Sequence, residues 1–381
     1  MKKSFYNNFR LGVLGGGQLG RMLIQEAINF NVQVVVLDPD EHAPCRNLAS
    51  DFVKGDLQDF QTVYDFGKKV DLLTIEIEHV NVDALKKLED EGLIVYPPPK
   101  VLEIVQDKGL QKEFYKNNNI PSAAFFLIEN KNQIKDFALE FPFMQKLRKG
   151  GYDGRGVTRL THFHELENAF DEPSVLEKLI DFEKEISVII ARNKTGETKC
   201  FPITELEFNP EFNLVEYLFA PADVSSSLEK EAYKIAEKIA VALDFVGILA
   251  VEMFVTKDQK VLVNEIAPRP HNSGHHTIEA NYTSQYEQHL RAIFDLPLGS
   301  TKSLSTAVMV NLLGEKGFSG DAVYQGMNEV LATEGVSIHL YGKKSTRPFR
   351  KMGHVTILDA DLIKAKEKAK WVKETLKIIS E

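Results

Sequence analysis

The chain has 381 residues, of which 43% are hydrophobic and 27% are charged. This composition is typical of a globular protein with two or three domains, and it excludes collagen-like, disordered and low-complexity classes. The 46 basic residues against 55 acidic residues give a net charge of −9, which argues against binding to a nucleic-acid backbone. The only cysteines, Cys45 and Cys200, cannot form a disulfide framework. Because no apolar run approaches the length of a membrane span, we expect a cytoplasmic protein without a membrane segment.

The N-terminal segment has the pattern of a βαβ unit: an apolar strand, a glycine turn, a helix and a strand over 32–37 that ends at Asp38. Residues 15–20 match G-x-G-x-x-G, so their backbone amides predict a bound phosphate or carboxylate. A nicotinamide-dependent oxidoreductase and a tight turn without ligand both remain as alternatives. A further strand is expected over 71–78, and the prolines at 97–99 indicate a domain boundary near residue 100.

A larger α+β domain is expected over 101–300. Its predicted strands cover 143–147, 174–179, 186–191, 248–255 and 260–266, and its clearest helix covers 227–243, where apolar residues recur at helical spacing. A third domain over 301–381 is rich in β-branched residues and is expected to end in a lysine-rich helix over 362–379.

Two patterns in the central domain suit nucleotide chemistry. Lys146 precedes a segment with four glycines in positions 150–156, which predicts either a flap over phosphates or a simple hairpin turn. Glu252 and Glu265 lie on two successive apolar strands, where paired carboxylates are typical of a divalent-metal site. A solvated strand face is the alternative for either glutamate alone.

Polar residues near the expected site favour small-anion binding. Directly after the second acidic strand, a loop carries Arg269, His271 and Asn272, which suit an anion better than zinc because a fourth ligand at familiar spacing is missing. The run 343–351 has five basic residues and no acid, so it is either a solvated face or a substrate-phosphate site. Glu76 and Glu78 are predicted to share one face at the end of their strand, as ribose acceptors or as edge polar residues.

Taken in order, GGGQLGRM, KLRKGGYDGRG, AVEMF, NEIAPRPHNSGH and RPFRKMGH resemble the ATP-grasp superfamily, and within it the N5-carboxyaminoimidazole ribonucleotide synthetases of purine biosynthesis. The resemblance implies a Rossmann-like N-terminal domain over 1–100, an ATP-grasp domain over 101–300 and a small β-rich C-terminal domain over 301–381. It implies that ATP and bicarbonate form carboxyphosphate, which carboxylates 5-aminoimidazole ribonucleotide with release of ADP and phosphate. It also implies a homodimer that passes its product to a separate mutase.

The resemblance assigns roles to residues at matching motif positions. Asp153, Arg155, Arg269, His271 and Asn272 are the implied catalytic residues, and Glu252 and Glu265 are the implied ligands of magnesium, expected as two ions. The residues implied for ATP are Lys108, Lys146, Gly151, Tyr152, Asp153, Gly154, Arg155, Gly156, Glu177, Lys178, Leu179, Ile180, Glu185, Asn264 and Glu265. Those implied for the ribonucleotide are Gly17, Gln18, Leu19, Glu76, Glu78, Tyr152, Arg155, Lys343 and Arg350.

Two departures from the family pattern are visible. The stretch 203–209 lacks the histidine that many members place near the nucleotide, and Phe349 stands where the family motif has glycine. A different backbone is therefore expected at Phe349. Other functions remain open: formate-dependent glycinamide ribonucleotide transformylase or biotin carboxylase within the superfamily, and a nucleotide-sensing module outside catalysis.

Overall fold

The structure, a computed structural model, describes residues 4–151, 156–208 and 215–381. Its N-terminal part is a parallel five-stranded sheet in the order β3-β2-β1-β4-β5 with helices packed on it, which confirms the predicted βαβ unit. The elements are β1 (Arg10–Leu14), α1 (Gln18–Asn29), β2 (Gln33–Asp38), β3 (Asp51–Lys54), α2 (Phe60–Gly67), β4 (Leu72–Ile75), α3 (Val82–Asp90) and β5 (Ile94–Val95). Parallel strands bring their carboxyl ends to one edge, where β1 leads into the glycine turn.

The strand predicted over 71–78 is shorter in the structure. It ends at Ile75, so Glu76 and Glu78 lie in the segment that follows and do not share a strand face. The Glu76 amide still donates to the Leu14 carbonyl of β1, and the two side chains reach different partners, the Gly17 amide for Glu76 and Arg269 for Glu78.

The next part begins with two helices and a small antiparallel sheet in the order β6-β9-β7-β8. Its elements are α4 (Pro99–Val105), α5 (Lys108–Asn117), β6 (Phe125–Ile128), a 3-10 helix (Lys131–Glu140), β7 (Phe143–Leu147), β8 (Val157–Leu160), a 3-10 helix (Phe163–Asn168) and β9 (Ser174–Lys178). Lys146 of β7 lies opposite Val157 of β8, and the Leu147 amide donates to the Gly156 carbonyl. The glycine-rich segment therefore joins two antiparallel strands. This connection agrees with both interpretations of the sequence, a hairpin turn and a flap over phosphates.

The main central elements pack helix α6 against a long antiparallel sheet. They are β10 (Phe182–Arg192), β11 (Thr198–Cys200), β12 (Thr204–Phe208), β13 (Val215–Ala220), α6 (Ser226–Ala242), β14 (Gly247–Thr256), β15 (Val261–Ala267), a 3-10 helix (Asn272–Gly274), α7 (Thr277–Ala280) and α8 (Gln285–Ile293). The predicted apolar stripe of α6 is buried in a core shared with β10, β14 and β15. Burying this stripe removes apolar surface from water and holds the two acidic strands in place.

The C-terminal part extends the same sheet. Its elements are β16 (Thr306–Leu313), β17 (Gly320–Gln325), α9 (Met327–Leu331), β18 (Val336–Leu340), β19 (Ser345–Thr346), β20 (Lys351–Asp359), α10 (Leu362–Thr375) and β21 (Lys377–Ser380). Strand β16 pairs with β13, so the nine-stranded sheet follows the path β15-β14-β10-β12-β13-β16-β20-β18, with β11 beside β10. The acidic strands β14 and β15 thus share one hydrogen-bonded sheet with β16, β18 and β20, whereas β17, β19 and β21 form a separate three-stranded sheet.

The helix predicted over 362–379 is wrong at its end. Helix α10 stops at Thr375, and the last residues form β21, which pairs with β17 and buries Ile378. This segment, Lys377–Ser380, has two adjacent β-branched isoleucines, which favour a strand. The lysine-rich helical pattern before it obscured this signal. Within the described ranges, no helix is both long and apolar enough to cross a membrane.

Candidate active site

A bidentate ion pair between Arg148 and Asp107 connects the base of the glycine-rich hairpin to helix α5. Asp107 caps α5 by accepting from the Gly109 amide at 2.8 Å, and its carboxylate also accepts from Arg148 Nε at 2.9 Å and from Arg148 Nη2 at 2.8 Å. The Lys108 amide donates to the Arg148 carbonyl. Paired guanidinium and carboxylate groups fix orientation as well as distance, so Lys108 and Lys146 are directed toward the same cleft.

Two lysines and one glutamate form a buried ion group beneath this cleft. Glu177 of β9 lies 3.0 Å from Lys146 Nζ and 3.2 Å from Lys112 Nζ. Burial alone would raise the pKa of Glu177, but Lys146 and Lys112 together hold it below the usual value. Lys146 Nζ also donates to the Asn264 side chain at 3.0 Å. The Glu177 carboxylate therefore positions Lys146, while its own charge is already matched.

The predicted metal strands bring three carboxylates together. Glu252 of β14 lies directly opposite Glu265 of β15, and Glu185 of β10 is close to both. Burial, followed by the charges of Glu265 and Glu185, raises the pKa of Glu252 well above its usual value. Burial and Glu265 raise the pKa of Glu185 to about 7. Lys108, 3.4 Å from Glu265, lowers the pKa of Glu265, so the three neighbouring carboxylates differ in how readily they ionise.

The predicted anion loop lies beside these carboxylates. His271 Nε2 is 3.7 Å from Glu252 Oε1, and His271 Nδ1 shares a hydrogen bond with Ser273 Oγ at 2.9 Å. Burial, together with the charges of Arg269 and Lys351, lowers the pKa of His271 to about 3, so the ring is neutral. The Arg269 Nε lies 2.8 Å from Glu78 Oε1. One carboxylate from the N-terminal part thus orients the guanidinium of the central loop.

The glycine turn between β1 and α1 holds two carboxylates of the chain itself. The Gly16 amide donates to Asp38 at 2.6 Å, and the Gly17 amide donates to Glu76 at 3.0 Å. A side chain at Gly17 would overlap the Glu76 carboxylate, which explains why glycine is required there. The predicted anion at this turn is therefore a carboxylate, and these two amides are not open to a dinucleotide pyrophosphate. Burial raises the pKa of Glu76.

The basic run reaches the same site from the C-terminal strands. Lys343 Nζ donates to the Lys351 carbonyl at 2.7 Å, and burial, followed by the charge of Arg350, lowers the pKa of Lys343 to about 8. Arg350 donates to the Ser345 carbonyl at 2.8 Å. Phe349 has a φ of 64°, the left-handed conformation that glycine favours. A side chain in this conformation costs backbone strain.

The structure brings together most of the residues named from the sequence. Two backbone amides of the predicted adenine strand are already used, because Lys178 donates to Ala124 and Leu179 donates to Pro142, which leaves their carbonyl groups for a nucleotide. The side chain of Leu19 is part of the N-terminal core. Tyr152, Asp153, Gly154 and Arg155 lie outside the described residues.

Several residues of the site were missed by sequence reasoning. Lys112 could have been predicted as a site residue, because it lies one helical turn after Lys108 on the same face of α5. Asp107 also had a signal, as an acidic residue immediately before a helix. Gln285, which bonds both backbone groups of His271, had none because its contact spans 14 residues.

Comparison with known families agrees with this arrangement. A model of the ribonucleotide synthetase preATP-grasp domain matches residues 9–106, the ATP-grasp domain matches 113–286, and the phosphoribosylaminoimidazole carboxylase C-terminal domain matches 307–368. The fold and its site therefore define an ATP-grasp ligase.

Comparison with individual relatives identifies the family within the ATP-grasp ligases. The chain is 37% identical over 363 residues to the N5-carboxyaminoimidazole ribonucleotide synthase of Brucella melitensis, covering 93% of this chain and 98% of the relative. The synthetase structure from Thermotoga maritima shares 45% identity with a TM-score of 0.90, covering 98% of this chain and 100% of that one. The Aspergillus clavatus synthase, solved in complex with ADP and 5-aminoimidazole ribonucleotide, shares 32% with a TM-score of 0.88, covering 97% and 98%. The chain belongs to the N5-carboxyaminoimidazole ribonucleotide synthase family.

Other relatives are longer proteins. The chloroplastic phosphoribosylaminoimidazole carboxylase of Vigna aconitifolia is 40% identical over 363 residues, which is 92% of this chain and 64% of the relative. This chain thus spans about two thirds of the length of such carboxylases.

Proposed function

We propose that the protein uses ATP to carboxylate 5-aminoimidazole ribonucleotide with bicarbonate in purine biosynthesis, releasing ADP and phosphate. The observation that carries this proposal is the meeting of the Glu252–Glu265 carboxylate pair, two lysines and the Arg269–Asn272 loop in one cleft. Such a set of groups suits phosphoryl transfer to a small anion, which needs charge neutralisation and positioning more than covalent chemistry.

ATP lies between the small antiparallel sheet and the long sheet in this proposal. Lys108 and Lys146 contact the phosphates, and the hairpin segment 151–156, with Gly151 and Gly156 at its ends, covers them. The carbonyl groups of 177–180 face adenine, and Glu185 accepts from the ribose. The buried Glu177 keeps Lys146 in position, because it is ion-paired with Lys112 and Lys146 at the same time.

Magnesium fits the acidic strands. Burial beside Glu265 and Glu185 disfavours the charged form of Glu252, which a bound cation would favour, and the half-exposed Glu265 (46% of its side chain) gives access from the cleft. Over the described ranges, no group of three or more histidine, cysteine or acidic side chains forms a complete metal site. Magnesium is commonly held by one or two carboxylates with phosphates and water completing its shell. When bound through Glu252 and Glu265, as two ions, it would neutralise phosphate charge.

Bicarbonate binds at the Arg269–Asn272 loop. A bicarbonate oxygen attacks the γ-phosphorus of ATP, the bond to ADP breaks, and carboxyphosphate forms. The Arg269 guanidinium, oriented by Glu78, balances the anion, and the neutral His271 offers a ring nitrogen for hydrogen bonding without adding a charge. The amine of the ribonucleotide then attacks the carboxyl carbon, phosphate leaves, and the amine loses a proton.

The ribonucleotide lies between the N-terminal turn and the C-terminal strands. Lys343 and Arg350, here called the phosphate clamp, hold its phosphate. Glu76 and the turn at Gly17, Gln18 and Leu19 face its ribose side. Tyr152, Asp153 and Arg155, which lie outside the described residues, are assigned to the same substrate by the family resemblance. Carboxyphosphate reacts readily with water, so closure of the hairpin over the site protects the intermediate.

The remaining parts of the proposal concern organisation. We propose domains over 1–100, 101–300 and 301–381, a homodimer in the cytoplasm, and transfer of the product to a separate mutase. Light scattering on the purified protein tests the dimer directly, since a monomer mass near 43.0 kDa would contradict it.

The deciding experiment measures magnesium-dependent ADP release from ATP and bicarbonate, with 5-aminoimidazole ribonucleotide, glycinamide ribonucleotide, biotin or no acceptor. Stimulation by the aminoimidazole alone supports the proposal. Stimulation by glycinamide ribonucleotide or biotin would show that the acceptor substrate is that compound instead. Tight MgATP binding without ADP release would indicate a nucleotide-sensing module.

A further inference from the structure

A row of buried imidazole rings connects the anion loop to the C-terminal strands. His275 follows the loop, His354 lies on β20 and His339 lies opposite it on β18; we call these three residues the histidine row. The ring centroids of His275 and His354 are 4.7 Å apart, and those of His354 and His339 are 4.5 Å apart with an interplanar angle of 10°. His339 ends the row in an ion pair with Glu279.

Hydrogen bonds at His275 determine its protonation. The His271 amide donates to Gln285 Oε1 at 2.8 Å, so the amide nitrogen of Gln285 must face the opposite way. That nitrogen donates to the His271 carbonyl at 2.7 Å and approaches His275 Nδ1 at 3.2 Å. The Tyr286 hydroxyl also lies 3.0 Å from Nδ1. Because two groups that can donate face this nitrogen, the arrangement favours a neutral His275 with its proton on Nε2. Burial, followed by the charge of His354, agrees by lowering the pKa of His275 well below its usual value.

Two members of the row connect it to the two halves of the acceptor site. Gln285, fully buried, holds both backbone groups of His271 and contacts His275. In the middle of the row, His354 Nδ1 shares a hydrogen bond of 3.0 Å with the hydroxyl of Tyr341, which lies two residues before Lys343. His354 itself lies three residues after Lys351, whose carbonyl holds Lys343 Nζ.

We propose that the histidine row is a positioning element for carboxyl transfer, a role that rests on the function proposed above. Its closely packed rings hold the loop that binds bicarbonate at a set distance from the phosphate clamp. Carboxyphosphate therefore forms within reach of the amine of the ribonucleotide. None of the three rings touches substrate; they act through His271 and Lys343.

The test separates carboxyl transfer from phosphoryl transfer. In His354→Ala, bicarbonate-dependent ADP release continues, but carboxyphosphate is lost to water because the amine is misplaced. We expect the ratio of ADP released to radiolabelled bicarbonate incorporated to rise from near one to about two or more, and the KM for the ribonucleotide to rise roughly tenfold, since an ångström of misplacement costs that much or more. The KM for ATP should change less than twofold.

Matched variants keep the test falsifiable. Tyr341→Phe removes only the hydrogen bond to His354 and should raise the same ratio, even if His354→Ala folds poorly. His276→Leu is the control, because His276 is buried in the same loop and neither of its ring nitrogens has a hydrogen-bond partner in the described part of the chain. A ratio near one with an unchanged KM in folded His354→Ala and Tyr341→Phe would overturn the inference, as would equal uncoupling in His276→Leu. Absence of ADP release by the unmodified protein would instead overturn the proposed function.

Discussion

Binding of the ribonucleotide phosphate should weaken as pH rises through the pKa of Lys343. This lysine is largely buried beside Arg350, and its pKa is lowered to about 8. The phosphate needs the charged ammonium, so the bound complex raises the pKa of Lys343 and the affinity is fully present only below the pKa of the free enzyme.

The size of the effect follows from that pKa. With a value of about 8, the charged fraction of Lys343 falls from roughly nine-tenths at pH 7 to roughly one-tenth at pH 9. The KM for the ribonucleotide should therefore rise about tenfold over this range, whereas an unperturbed lysine would produce almost no change below pH 9.

The assay is initial-rate carboxylation from pH 6.5 to 9.5 at saturating ATP and bicarbonate. Lys343→Arg supplies the control, because a guanidinium stays charged throughout this range and should give a flat profile. A flat profile for the unmodified protein, or an equal rise in Lys343→Arg, would refute the reasoning. A parallel rise in the KM for ATP would place the titrating group elsewhere.

Three further predictions concern the metal strands, the hairpin base and the C-terminal turn. Glu265→Gln should lower turnover at least about a hundredfold and raise the magnesium concentration needed for activity, because a charged ligand of the metal is lost, while the melting temperature does not fall. Unchanged turnover would contradict the metal assignment. Arg148→Met should raise the KM for ATP, seen in ADP release, because Asp107 loses its partner; an unchanged KM would show that the pair does not position the hairpin. Phe349→Gly should stabilise the protein by about 1 kcal/mol in urea unfolding, since the left-handed backbone costs about that much with a side chain; destabilisation would mean that packing of the ring outweighs strain.

Local patterns predicted much of this fold. The apolar stripe of α6 and the two acidic strands are visible because helical and strand periodicities act over a few residues. The sequence placed Glu252 and Glu265 on two successive strands, and the structure shows that these strands pair with the two residues opposite each other. The family motifs supplied the order of the domains.

Contacts between residues that are far apart in the sequence could not be predicted from such local patterns. Glu78 meets Arg269, and Glu177 joins Lys112 to Lys146, through packing of elements that the sequence keeps far apart. Lys112 looks like a solvated helix residue until its charge partner is known, because burial of a lysine depends on that partner. The C-terminal strand β21 was hidden by the helix-favouring lysines before it.

The continuous nine-stranded sheet bears on any attempt to dissect the chain. Strand β13 is bonded to β16 along four residue pairs, from Tyr217 and Val310 to Ala220 and Ala307. A fragment that stops before residue 306 would leave one side of β13 as a bare edge next to the apolar Leu218 and Phe219, the kind of surface that recruits strands from other molecules. Such a fragment is expected to aggregate, so the C-terminal part is needed to cover the edge of the sheet that carries Glu252 and Glu265.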